Sequence, residues 1–161
     1  MKENFVIFLK ILTHNLEPFI IVYRQEAFNM IKGLTIEQLP EAREVEGAKR
    51  WDEERGEFAQ ISYQENIGHL AFFQIREGFF RGGHFHEKKE EVFYVVRGKI
   101  RALFRDLSSG ENEEHILTRG QKIRVQPRCA HIFHGLEDTL VIEYSPQFYE
   151  KTDNYPADFT R

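Results

Sequence analysis

Beyond residue 56 the chain breaks into short apolar runs, each bounded by Gly, Asn, Asp, Ser, Pro or a charged pair. Runs rich in Val, Ile, Phe and Tyr cover residues 57–63, 69–76, 81–86, 91–97, 99–106, 113–118, 121–126, 131–136 and 139–144. β-Branched and aromatic segments of this length between turn residues predict antiparallel strands. Turns at Gly98, Ser108-Ser109-Gly110 and Gly120 leave no length for crossover helices, so the sheet closes as a sandwich or a barrel. Ile100, Ala102 and Phe104 alternate with Arg101, Leu103 and Arg105, giving that strand one apolar and one mostly basic face. Residues 35–49 are mixed and charged, with Pro40 and Gly47 interrupting any helix, and predict a loose lead-in. The aromatic and acidic tail, residues 147–161, predicts a loop or short helix packed on the barrel. The expected division is an N-terminal extension and lead-in over residues 1–50 and one barrel domain over residues 51–161.

Composition narrows this picture. A chain of 161 residues that is 41% hydrophobic and 14% aromatic suffices for one closed core. The single cysteine, Cys129, excludes an intrachain disulfide and a cysteine-built zinc site, and predicts a reducing, cytoplasmic location. A net charge of −4 argues against sequence-independent nucleic-acid binding, which needs a positive face to displace counterions. The charge is uneven: from Arg76 to Arg128 twelve Lys or Arg stand against eight Asp or Glu. That excess reads either as a solvated surface or as a field that attracts a phosphorylated small molecule. Apolar stretches at residues 5–9 and 18–23 are broken by Lys10, His14, Asn15, Glu17 and Pro18. A membrane span needs about 20 largely apolar residues, so no membrane association is expected, and no signal-peptide cleavage site follows. The change of character at Met30 predicts that translation starts there; intact mass retaining Met1 in native-source protein would overturn this.

The chemistry concentrates between Gly78 and Gly98. Five residues separate Gly78 from His84, one separates His84 from His86, four separate His86 from Glu91 and six separate Glu91 from Gly98. Residues two apart on a strand share a face, so His84 and His86 project together. A polar turn over residues 87–90 then returns the chain so that Glu91 lies across from the imidazoles. Forty residues after Glu91, His131 begins another strand behind Gly120 and Pro127 and can supply a fourth group. Three imidazoles and a carboxylate suit a divalent first-row metal such as Zn, Mn, Fe, Ni or Cu.

Gly-His-x-His-Glu-Gly at this spacing resembles the first motif of the cupins, and Gly120, Pro127 and His131 are similar to the second. Cys129 stands where many cupins have Gly, His131 lies one residue closer to Pro127 than usual, and Gly135 replaces an Asn. The resemblance implies an all-β fold, a single cupin of the RmlC-like jelly-roll kind forming an antiparallel β-barrel. Residues 78–86, with His131-Ile-Phe-His134 and Tyr149-Glu-Lys-Thr152-Asp153, resemble more narrowly the sugar-nucleotide 3,4-ketoisomerases. They are similar also to the C-terminal cupin of capsular polysaccharide reductases and to 4-keto-6-deoxysugar 3,5-epimerases. These relatives imply a homodimer acting on a nucleotide-linked 4-keto-6-deoxysugar in bacterial surface polysaccharide synthesis, with paired histidines moving protons beside a ketone. The ketoisomerases usually carry Gln where this chain has Glu91, and work without metal. Glu91 restores a ligand set of His84, His86, Glu91 and His131.

Two accounts follow. Without metal, His84 and His86 are acid and base; with metal they are ligands, and the proton carrier is another group such as His134 or a tyrosine. Glu91 reads as a ligand or as a solvated member of the charge run 87–91. His134, three residues from His131, is a rim or substrate contact unless a bulge intervenes. Arg81, before Gly82-Gly83, is a substrate anchor or a structural ion pair, with Arg76 a second substrate-binding candidate. His14, His69 and His115 are assigned nothing, and Tyr94 and Tyr144 read as packing or as acids. No organic cofactor is expected. Other function classes are a non-catalytic sugar-binding cupin and a metal-dependent cupin acting on another small molecule.

Overall fold

The computed structural model describes residues 31–159. The expectations for the two apolar N-terminal stretches and for a start at Met30 lie outside the described residues. Twelve strands run β1 Leu34–Gln38, β2 Lys49–Glu53, β3 Gly56–Gln60, β4 His69–Ile75, β5 Phe80–Phe85, β6 Glu91–Arg97, β7 Lys99–Asp106, β8 Asn112–Thr118, β9 Gln121–Val125, β10 Cys129–Gly135, β11 Thr139–Ser145 and β12 Tyr155–Pro156. The only helix among the described residues is one 3-10 turn, Lys151–Asp153. Every predicted run has a strand in it.

Two five-stranded antiparallel sheets face each other, β1-β9-β6-β11-β4 and β12-β5-β10-β7-β8. The chain crosses between them at almost every turn, from β4 to β5, β5 to β6, β6 to β7, β8 to β9, β9 to β10 and β10 to β11. This is the expected antiparallel jelly-roll barrel. Its apolar core includes Phe93 and Val95 of β6, Ile100, Ala102 and Phe104 of β7, Leu117, Ile123, Phe133 and Val141. The alternation read on residues 100–105 therefore orients β7 correctly, with Arg101 on the outside and bidentate to Glu114 at 2.7 and 2.8 Å.

One expectation is corrected and one open reading is decided. The segment read as a loose lead-in contains β1, which pairs with β9 from Leu34↔Val125 to Gln38↔Gln121. Ile31, Leu34 and Ile36 are buried in the same core, so the barrel begins well before residue 51. Next, β2 and β3 form a separate hairpin whose residues Arg50 and Glu57 approach Tyr94 on the outer face of the first sheet. Glu65 lies over β9 and β11 on the same face, bonding Lys122, Arg124 and the Tyr144 hydroxyl, while Leu70 and Phe72 of β4 stay exposed. Tyr94 and Tyr144 are thus packing residues outside the barrel. A covered outer face also explains why five consecutive residues of β6 are buried, which erased the two-residue pattern there.

Candidate functional site

The polar end of the barrel is built by neighbouring turns of the chain. In β5, His84 faces inward and pairs with His131 of β10. His86 follows two residues later and is 4% exposed. Glu91, the first residue of β6, is equally buried and reaches back to them. Ligand atoms of His84, His86 and Glu91 lie within 4.8 Å of one another. His86 Nε2 is 3.2 Å from Glu91 Oε1, and His131 Nε2 is 3.4 Å from Glu91 Oε2. The His84 ring centroid lies 5.0 Å from that of His86 and 4.8 Å from that of His131. Phe93 and Phe133 form the floor, each ring packing against His131. The local hairpin and the distant His131 are brought together as the spacing predicted.

Lys89 was hidden from the sequence reading by its charged neighbours. Its ammonium is buried, 2.9 Å from Glu91 Oε1 and 2.9 Å from Glu143 Oε1. Glu143 in turn lies 3.8 Å from His69 Nε2. Two-residue alternation could have found both groups, since Lys89 shares parity with Glu91 and Glu143 with the core residue Val141. Asp153 was also missed as a functional residue. Its carboxylate accepts hydrogen bonds from the backbone N–H groups of Glu87, Lys88 and Lys89, and its carbonyl accepts from His86 Nδ1. The tail, expected only to pack, thereby fixes the β5–β6 turn and the orientation of an imidazole.

The environments separate the three histidines. Burial pushes the His131 imidazole down to about 4, and lowers His84 as well. Burial also lowers His86, but the adjacent Glu91 carboxylate outweighs it and the net shift is upward. Burial raises the Glu91 carboxyl, yet His86, His131 and Lys89 together hold it well below the usual carboxylate range. Around one carboxylate the site therefore places an imidazole held toward its charged form, an ammonium and two imidazoles held toward their neutral form. His86 Nε2, Glu91 Oε2 and His131 Nδ1 have no hydrogen-bond partner despite their burial.

Arg81 reaches the opening through a bulge. Register shifts between His131 and Ile132, so that Arg81 pairs with Phe133 while His84 pairs with His131. Directly paired residues share a face, so Arg81 and His84 both face inward although three residues apart. Gly82 and Gly83, at φ of 90° and 81°, absorb the extra residue. The Arg81 Nε donates to the Gln74 carbonyl at 2.9 Å, and its guanidinium lies 5.4 Å from the Phe73 ring centroid.

Two expected residues are not brought in. His134 pairs with Phe80 and lies against its ring, on the outer face opposite His131 and Phe133, because no bulge falls between residues 131 and 134 of β10 on its β7 side. Arg76 is exposed just past the end of β4, in the turn where its carbonyl accepts from Phe79 N. The seven residues of β4 separate it from His69, roughly 20 Å at the rise of a strand. His115 bonds Glu113 at 2.6 Å and lies apart from the cluster.

Residues 51–153 match the family described as the polysaccharide biosynthesis C-terminal domain. The chain is 29% identical over 102 residues to a UDP-2-acetamido-2,6-beta-L-arabino-hexul-4-ose reductase of Pseudomonas aeruginosa; the match covers 60% of this chain and 27% of that protein. The chain thus spans about a quarter of the length of that relative. Among solved structures, a dTDP-4-dehydrorhamnose 3,5-epimerase of Sulfolobus tokodaii superposes with a TM-score of 0.68 at 19% identity, covering 82% of this chain and 81% of the other. A sugar 3,4-ketoisomerase of Thermoanaerobacterium thermosaccharolyticum gives 0.64 at 14% identity, covering 78% and 88%. These likenesses show the cupin fold.

Proposed function

Because the chain belongs to the polysaccharide biosynthesis C-terminal domain family, we propose that its polar opening acts on a nucleotide-linked 4-keto-6-deoxysugar. The reaction is epimerisation or ketoisomerisation, a proton transfer at a carbon beside the ketone. The reductase relative is named for a UDP-linked hexul-4-ose. The epimerase neighbour is named for dTDP-4-dehydrorhamnose, and the ketoisomerase structure holds TDP. The observation that carries the reading is the separation of His84 from His86. His84 is half-buried, faces the opening and is held toward its neutral form, while His86 beneath it is held toward its charged form by Glu91.

In this reading His84 takes the proton from the carbon, and the electron pair moves to the ketone oxygen to give an enediolate. The buried His86, held toward its charged form by Glu91, places positive charge behind the reacting atoms, and Phe93 and Phe133 keep water from the floor. Arg81, at the rim, presents a fork suited to a phosphate or a sugar oxygen. The asymmetric distribution of basic residues favours a phosphorylated substrate in the same direction.

A second reading is favoured by His84, His86 and Glu91, whose ligand atoms lie within 4.8 Å of one another in a donor set suited to a divalent cation, with His86 Nε2 and Glu91 Oε2 buried and without a hydrogen-bond partner. His84, His86, Glu91 and His131 would hold it, with Lys89 fixing one Glu91 oxygen and leaving the other for the ion. Such an ion supplies Lewis-acid polarisation of the substrate ketone. Elemental analysis of untreated protein separates the two readings: one equivalent of Zn, Mn, Fe or Ni supports the second, and its absence supports the first. Both predict exchange of the carbon 3 proton when dTDP-4-keto-6-deoxyglucose, or its UDP-linked 2-acetamido counterpart, is incubated with the protein in deuterium oxide. No exchange with either sugar, with or without added metal, overturns the enzyme reading. Binding without exchange would leave a sugar-binding module.

A further inference from the structure

We propose that the buried Lys89 ammonium competes with a divalent cation for Glu91, and so sets how tightly the site of His84, His86, Glu91 and His131 holds one. The proposal rests on the metal-holding reading of the site and adds to it a residue that is not itself a ligand.

The backbone fixes where Lys89 stands. Its N–H donates to Asp153 at 3.0 Å, as those of Glu87 and Lys88 do at 2.9 and 3.2 Å, so the turn before β6 is tied to the tail. The side chain runs inward from there, and its ammonium lies 2.9 Å from Glu91 Oε1 and 2.9 Å from Glu143 Oε1. The Tyr149 ring lies beside it, with its centroid 5.9 Å from Nζ. Lys89 and Glu91 are both buried, and Glu143 nearly so. An ammonium in such a place keeps its carboxylate partners, because leaving a charge unpaired away from water is costly.

Glu91 is therefore shared. Its Oε1 accepts from Lys89 and lies 3.2 Å from His86 Nε2. Its Oε2 is 3.4 Å from His131 Nε2 and is buried without a hydrogen-bond partner. A cation held by three imidazoles and one carboxylate has Glu91 as its only anionic ligand. An ammonium bonded to that carboxylate draws charge from it and repels a dication, and both effects strengthen where water is excluded.

Glu143 works in the opposite direction. It lies outside the group of His84, His86 and Glu91 whose ligand atoms fall within 4.8 Å of one another. By giving Lys89 a second anion, it leaves more of the Glu91 charge to the ligand set. Lys89 and Glu143 are thus opposed controls on one affinity: removing the first charge tightens binding of a dication, and removing the second weakens it. Residues that merely supported the fold would move the affinity in the same direction when altered.

The test titrates the full, metal-stripped chain with Zn(II) in competition with a chromophoric chelator, whose absorbance gives the dissociation constant without any substrate. Lys89→Met is expected to bind Zn(II) more tightly than wild type by about 10-fold or more, the scale on which residues behind metal ligands act. Glu143→Gln is expected to bind more weakly by a similar factor. The double variant is expected to bind more tightly than wild type, which excludes recruitment of Glu143 as a new ligand. Zn(II) should also raise the melting temperature of Lys89→Met by more than that of wild type, because tighter binding to the folded chain stabilises it further. Glu143→Gln tests the same balance if metal-free Lys89→Met does not fold. Equal or weaker binding by Lys89→Met overturns the proposal, as does unchanged or tighter binding by Glu143→Gln. Absence of stoichiometric binding by wild type, Lys89→Met and the double variant alike refutes the ligand set itself, and the proposal with it.

Discussion

Lys88 is exposed and Lys89, its neighbour, is 5% exposed between two carboxylates. Charge alone cannot distinguish them, because an ammonium enters an interior only when the fold delivers counter-charges to it, and Glu143 arrives from 54 residues away. His131 shows the converse, an imidazole buried on an apolar floor and pushed down to about 4. Its unfolded value is near 6.5. Between those values the unfolded chain holds a proton that the folded chain lacks, so this residue makes stability fall as pH drops from about 6.5 to about 4. His86 acts with the opposite sign: its raised folded value contributes stability below about 6.5 that is lost as pH rises through the folded value. The His131→Gln variant is therefore expected to show a flatter acid decline in that window, by on the order of 1 kcal/mol per pH unit. Urea unfolding of metal-stripped protein across the window checks this. Cys129, whose thiol burial pushes up to about 12, has no part in the chemistry.

At the scale of single elements, the β5–β6 hairpin and the tail act as one unit. The hairpin brings His84, His86 and Glu91 near one another by local geometry, and Asp153 then secures the turn with three backbone hydrogen bonds. The bulge at Gly82-Gly83 is the other device. An added Cβ at Gly82 would meet the His131 carbonyl at 2.8 Å, and the residue already sits at a φ of 90°. Gly82→Ala is expected to cost about 2 kcal/mol or more through strain at this position. It would also disturb the pairing that turns Arg81 inward. Thermal unfolding reads the first effect; the second appears as a weaker apparent affinity for the sugar nucleotide, with exchange at saturating substrate less affected.

For the whole molecule, the barrel depends on residues that precede the family match. Ile31, Leu34, Ile36 and Leu39 are all buried, and β1 covers the edge of β9. Burial of such side chains is worth roughly 2 kcal/mol each, so losing four approaches the total margin of about 5–15 kcal/mol of a typical domain. A fragment starting at residue 51 is expected to lack a cooperative thermal transition, whereas one starting at residue 30 retains it. Equal melting of the two would show that β1 is dispensable. Among the described residues no helix is long and apolar enough to cross a membrane. The expected homodimer and the expected metal remain proposals, tested by sedimentation and by elemental analysis.

The amino-acid sequence by itself determined the strands from β3 to β11, the antiparallel closure, and the meeting of His84, His86 and Glu91. Each of these follows from two-residue periodicity or from a turn a few residues long, and both act within a stretch the pattern displays. Residues 35–49 did not disclose β1, because an edge strand with one buried face and charged outward residues, such as Glu37, is scarcely distinguishable from a loop. Only the tertiary structure decided which residues complete the site. Lys89, Glu143, Asp153 and His69 come together from a turn, two strands and the tail, and Arg81 faces them through a register shift set by pairing with β10. Parity along one strand tells which residues share a face, but which face is enclosed, and what charge waits across it, is settled by strands distant in sequence.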